Sequence, residues 1–209
     1  RMAASSTFAQ LYIAPLHAEF LKRYPRVRLD LKLSDTQVNL IEGGYDLALR
    51  NYAIADSSLR ARKLADDRRI LCASPCYLEQ NGTPESPDDL INHQLLIFND
   101  GPGRTLVGKD DLPPGKFPPA NTRNRIVCDD GASMRVATAA GVGISMNSLW
   151  SVHREIEDSS LVRVLPDYEI EDQSAIWLVY PKSNVLTAKV RVFIDFLLEK
   201  IGDPPLWER

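Results

Sequence analysis

The chain has little with which to do covalent or metal chemistry. Its 209 residues include three cysteines and three histidines. Cys72, Cys76 and Cys128 form an odd set, and Cys72-x-x-x-Cys76 lacks the second pair that a metal site needs. They read as buried, reduced thiols, which suits a reducing cytoplasm. His17, His93 and His153 are scattered, and no Gly-x-Ser-x-Gly elbow, phosphate loop or His-Glu-x-x-His occurs. No apolar run approaches the roughly 20 residues of a membrane span, and no secretory leader precedes the first strand. A net charge of −3 gives no footprint for a polyanion. Arg60, Arg62 and Lys63 read as charges along a strand edge.

What the chain does have is a repeated strand–helix–strand pattern. An apolar fraction of 44% is ample for a core, and 209 residues allow one large domain or two lobes. Val27 to Leu33 (VRLDLKL) alternates, placing Val27, Leu29, Leu31 and Leu33 on one strand face. Ser34 and Gln37 have the spacing of a capping box, Gly43–Gly44 can end a short helix, and Tyr45 to Arg50 is a second strand. Ahead of them, Arg1 to Ala4 resembles the end of a strand. A helical stripe of Phe8, Leu11, Tyr12, Leu16, Phe20 and Tyr24 follows, with Thr7 and Gln10 spaced as its cap and Pro15 marking a kink. Parallel crossovers are nearly always right-handed, so Ser5, Ser34 and Arg50 fall together at strand carboxyl ends, where open α/β sheets hold ligands.

Further along, Leu59 to Leu64 and Arg69 to Ala73 read as strands, and Ser74-Pro75 starts a helix that Asn81-Gly82 ends. Gln94 to Phe98 is another strand. Residues 99–124 are rich in Gly and Pro and are expected to be loop, with a hairpin near Thr105 to Lys109 and Phe117. Arg125 to Cys128 returns as strand, Asp129-Asp130-Gly131 leads into a helix, and Gly141-Val142-Gly143 ends it. Trp150, Val152 and Ile156 mark a helix, and Leu161 to Leu165 and Ser174 to Tyr180 mark strands. Thr187 is placed to cap a final amphipathic helix that packs on the first lobe. The fold class is therefore α/β, with two Rossmann-like lobes joined by two crossover segments: 1–72 plus 177–209, and 73–176.

The site chemistry points to binding. Ser5, Ser6, Thr7 and Ser34 bring hydroxyls beside helix amino ends, and Arg50 adds a planar fork suited to a carboxylate. Plain capping, with Arg50 held by a local acid, is the competing account. Convergence on one edge favours binding. Asp129-Asp130 could be an acid/base pair, but adjacent acids after a strand more often cap the next helix. Asp46 reads as a structural partner.

STFAQLYIAPLHAEFLKRYPRVRLDLKLSDTQVNLIEGGYDLALR, then DSSLRARKLADDRRILCASPCYLEQNGTPESPDDLINHQLL, and later DDGASMRVATAAGVGISMNSLW and VYPKSNVLTAKVRVFIDFLLE, resemble the effector-binding domain of LysR-type transcriptional regulators. The resemblance runs over nearly the whole chain, in family order. It implies a fold like type 2 periplasmic binding proteins, no cofactor, and no enzymatic activity. It also implies a small-molecule effector, here expected to be an organic acid, held in the interlobe cleft. A winged helix-turn-helix upstream of this chain would contact DNA, and homodimers would pair into homotetramers. The effector contacts it implies are Ser5 to Thr7, Ser34-Asp35 and Arg50-Asn51 from the first lobe. Cys128, Asp129, Asp130 and Asn147 would come from the second. A transport-type solute-binding protein would share the fold and remains the alternative.

Overall fold

The computed structural model describes residues 1–34, 40–51, 58–99, 103–122, 126–172, 174–182 and 186–208. The chain divides into two compact units, Arg1–Asp67 with Ser174–Arg209, and Arg68–Gln173.

The first unit opens with β1 (Met2–Ala4), buried throughout. Ser5 then takes an extended backbone and its Oγ accepts the Phe8 N–H at 3.1 Å, capping α1 (Ser6–Phe8). The helix widens to a π turn over Ala9–Ile13, tightens to 3-10 over Ala14–Leu16, and resumes as α2 (His17–Arg23). The irregularity surrounds Pro15, which has no N–H to give and crowds the preceding turn. Two sequence expectations change here. Ser5, not Thr7, is the cap, because Thr7 lies inside the turn and is only 2% exposed. The π turn also rotates the buried stripe, so Ile13 is buried while Leu11 and Leu16 are half-buried.

Next come β2 (Leu31–Leu33), β3 (Leu47–Arg50) and β4 (Leu59–Asp66). The strand expected over Val27 to Leu33 is shorter, since only Leu31 to Leu33 pair with β1. As an edge strand, β2 leaves Leu33 43% exposed. Gly44 takes the left-handed conformation, at φ +62°. Gln37 lies outside the described residues, so the Ser34–Gln37 box does too.

The second unit runs through β5 (Arg69–Ala73), α3 (Pro75–Asn81), a 3-10 turn over Pro87–Asn92, and β6 (Leu95–Phe98). The Ser74 Oγ accepts the Tyr77 N–H at 3.2 Å, and Gly82 ends α3 at φ +83°. β7 (Arg104–Gly108) and β8 (Gly115–Phe117) form the hairpin inside the Gly/Pro-rich stretch. Then follow β9 (Ile126–Cys128), α4 (Gly131–Ala139), β10 (Ile144–Ser148), α5 (Leu149–Glu157), β11 (Val162–Val164) and β12 (Tyr168–Ile170). β12 has no counterpart among the strands expected from the sequence. The chain returns to the first unit as β13 (Ala175–Pro181) and α6 (Ala188–Ile201).

Strand pairing explains the division. The first sheet has the order β2-β1-β3-β13-β4, with β1 parallel to β2 and β3, and β13 antiparallel to β3 and β4. The second has the order β11-β5-β10-β6-β9, in which β6, β9 and β10 are parallel; a three-stranded sheet β12-β7-β8 accompanies it. The boundaries expected at 72/73 and 176/177 therefore move to 67/68 and 173/174. All of β5 pairs within the second sheet, and all of β13 within the first.

α6 packs its apolar stripe on the first unit, as its sequence pattern implies. Phe20 is fully buried, its ring 4.8 Å from Phe193 and 5.1 Å from Phe196. Thr187 precedes the helix, but its side chain makes no capping hydrogen bond. In the second unit, β10 lies so close to β6 that a Cβ on Gly143 would press into the Gln94 carbonyl and the Leu96 side chain. Gly143→Ala should lower stability by about 1–3 kcal/mol in thermal or urea unfolding; an unchanged midpoint would show that the strands can part without loss.

The same region carries a polar lock. The Tyr77 hydroxyl accepts the Gln94 N–H at 2.8 Å and lies 3.2 Å from His93 Nδ1, so its own proton can serve a neutral imidazole. Burial lowers the His93 pKa below its ordinary 6.5, with the Asp89 charge opposing. The unfolded chain then takes up the proton at higher pH than the folded one. This contribution is complete above that ordinary value and is lost as pH falls through the folded one. Stability should decline on acidification below neutrality, and less steeply in His93→Gln; parallel pH profiles of the two unfolding midpoints would assign the decline elsewhere.

Candidate functional site

The three parallel strands of the first sheet set the geometry. β1 pairs Ala4 with Leu33 of β2, and Ala3 with Ala48 of β3. Their carboxyl ends therefore align, and Ser5, Ser34, Arg50 and Asn51 emerge along one sheet edge. The Ser34 N–H donates to the Ala4 carbonyl at 3.0 Å, fixing these first two exits side by side. Ser5, Ser6, Ser34, Arg50 and Asn51 are all half-buried. Arg50 ends β3 opposite Trp177 of β13. Asp35 lies outside the described residues.

Thr7 behaves differently from its neighbours. Its Oγ1 is buried and has no hydrogen-bond partner among the described residues, an arrangement that costs about 1–3 kcal/mol for an unsatisfied polar atom. No periodicity in the sequence singles this hydroxyl out. Ser5, by contrast, spends its Oγ on the Phe8 N–H.

In the second unit, Cys128 ends β9 and Asp130 caps α4. The Asp130 carboxylate accepts the Ser133 N–H at 2.7 Å and the Ser133 hydroxyl at 2.6 Å. The Cys128 Sγ in turn accepts the Asp130 N–H at 3.4 Å. Asp129 is exposed. Asp130 thus acts as the helix cap, as the capping account of this pair expects. β6, β9 and β10 run parallel, so Cys128 and Asp130 sit at the carboxyl edge of this sheet.

Asn147, one residue before the end of β10, makes its hydrogen bonds on the helix-facing side of the sheet. Successive strand residues face opposite sides, so Asn147 points the same way as Ser145, toward the helices. Its Nδ2 donates to Ser145 Oγ at 2.6 Å and to Cys72 Sγ at 3.4 Å, while Ser145 Oγ lies 2.6 Å from Thr138 Oγ1 of α4. All four side chains are buried. Burial pushes the Cys72 thiol up to about 11, against the hydrogen bonds from Asn147 and Ser145.

Among the described residues no group of three or more His, Cys, Asp or Glu side chains is gathered to hold a metal. No described helix is long and apolar enough to cross a membrane. Asp130→Ala should cost about 1 kcal/mol of stability by loss of the α4 cap, and Asp130→Asn should recover most of it; chemical denaturation of the two variants checks this, and equal losses would point to the charge instead.

The family model described as the LysR substrate binding domain matches residues 1–202. The transcriptional regulator CrgA of Neisseria meningitidis serogroup B is 35% identical over 192 residues, covering 91% of this chain and 63% of CrgA. The transcriptional activator AaeR of Escherichia coli K12 is 32% identical over 201 residues, covering 95% of this chain and 63% of AaeR. The chain thus spans less than two thirds of the length of these relatives. The solved regulatory domain of CrgA superposes with a TM-score of 0.83 at 33% identity, over 96% of this chain and 97% of that one. The full-length virulence activator AphB of Vibrio cholerae gives 0.80 at 28% identity, over 95% of this chain and 67% of AphB. With two α/β lobes of the periplasmic-binding-protein kind and a family match along almost its full length, the chain belongs to the LysR substrate-binding domain family.

Proposed function

We propose that this chain is the effector-sensing module of a LysR-type transcriptional regulator, and that it takes a small carboxylate in the cleft between its lobes. The observation that supports the ligand class most directly is the alignment of Ser5, Ser34 and Arg50 at one sheet edge. Hydroxyls offer adaptable hydrogen bonds, and a guanidinium offers a charged planar fork that matches a carboxylate. Asn51 and, from the second lobe, Cys128, Asp129 and Asp130 complete the proposed contacts. Asp35 is retained from the family resemblance.

In this reading the module acts by population shift. A ligand that favours one arrangement of lobes or subunits biases the equilibrium by its difference in affinity, and a ligand indifferent to both changes nothing. The output would pass to a DNA-binding domain outside this chain, in a cytoplasmic homodimer or homotetramer. CrgA and AaeR are named as transcriptional regulators of the helix-turn-helix type, which favours regulation over the transport-type solute-binding alternative.

A thermal-shift screen of small organic acids tests the ligand class, because a specific ligand raises apparent stability by mass action. The acid that shifts the midpoint should bind Arg50→Ala roughly tenfold more weakly or worse, with the ligand-free midpoint nearly unchanged. An equal loss of ligand-free stability would make Arg50 a structural residue, and a panel of acids without effect would count against a carboxylate.

A further inference from the structure

Away from that edge, the second unit gathers three cations around a single carboxylate oxygen. Arg68, the first residue of the unit, donates from Nη2 to Glu169 Oε1 at 3.0 Å. Lys109 Nζ lies 3.8 Å and Arg163 Nη2 lies 4.0 Å from the same oxygen. The four side chains come from separate segments: Arg68 precedes β5, Lys109 follows β7, Arg163 is in β11 and Glu169 is in β12. Within these ion pairs one negative charge is set against three positive ones. Among the described residues no other carboxylate pairs with Arg68, Lys109 or Arg163. Asp110 and Asp111 follow Lys109, and the Asp167 carbonyl accepts the Lys109 N–H at 2.9 Å, but none of these three carboxylates forms an ion pair with it.

Here like charges are held near one another, which is unfavourable until a further anion compensates them. The donors are also under-used. Lys109 gives one N–H to the Pro166 carbonyl at 3.2 Å, and its ammonium has three to give. Arg163 stands beyond hydrogen-bond distance of Glu169, and among the described residues its buried Nε has no partner. Side-chain exposures of 30–48% leave the cluster open to a small ion.

We propose that Arg68, Lys109 and Arg163 form a binding site for a small oxyanion of the inorganic phosphate class. Glu169 holds the cations together and competes with that anion for them. Two guanidinium forks and an ammonium can meet the several oxygens of such an ion, whereas the single carboxylate satisfies one cation well and two poorly. The site uses none of the residues assigned to the effector, so it stands or falls separately from that reading.

Titration of the chain with sodium phosphate, at neutral pH and fixed ionic strength set with sodium chloride, followed by phosphorus NMR, tests the proposal. Saturable binding is expected, about fivefold weaker in Arg163→Gln and in Lys109→Gln. Glu169→Gln should bind phosphate more tightly, because it removes the competitor and keeps the shape. That opposite sign separates an anion site from a network needed only for folding, and thermal unfolding of each variant confirms that it is folded. No saturable binding, or equal affinity in all four proteins, overturns the proposal. Loss of binding in Arg50→Ala but not in Arg163→Gln would place the ion at the first sheet's edge and overturn it as well.

Discussion

The parallel pairing of β1 with both β2 and β3 is the constraint on which the first unit depends. β1 is buried on both faces, as are Leu47 to Leu49 of β3, so the ladder sits inside the core with the register Met2↔Leu31 and Met2↔Leu47. The same register aligns the positions that follow the strands. Placement of Ser5, Ser34 and Arg50 along one edge is thus a by-product of core packing. No separate interaction among the three is needed to bring them there.

The second unit repeats the device with a different covering. β6, β9 and β10 are parallel, and the close approach at Gly143 lets β10 sit tightly against β6. One face of this sheet carries the apolar cluster of Leu71, Leu95, Ile144 and their neighbours. The other face is mixed: Ile70, Cys72, Val152 and Leu161 form an apolar layer, and Asn147, Ser145 and Thr138 form a satisfied polar chain beside it. Such a chain is tolerated in a core because its donors find acceptors at short range.

Much of this was legible in residue order. Ser74, Asp130 and Gly82 announced helix ends because capping is a local matter, settled within a few residues. Pro15 announced its irregularity for the same reason, although not the π turn that goes with it. What escaped notice depended on distant partners. β12 is three residues long and exists through its pairing with β7. β2 is shorter than its alternation suggests because β1, a three-residue strand, offers nothing further to pair with. The cap of α1 shifted from Thr7 to Ser5 because both have hydroxyls at plausible spacing, and the buried position decided between them. At the candidate site, strand-end positions could be read from the crossover rule. The inward turn of Asn147 could not, since it depends on Cys72 from a remote strand.

The environment of Cys72 has a chemical consequence of its own. A sulfur that is fully covered and has its pKa pushed up to about 11 stays protonated under physiological conditions, and it is the thiolate that attacks. Alkylating reagents and peroxides should therefore meet Cys76, on the exposed side of α3, and the half-buried Cys128 long before they reach Cys72. The interior sulfur behaves as a compact, slightly polar filler, and thiol reactivity is left to the outside of the fold.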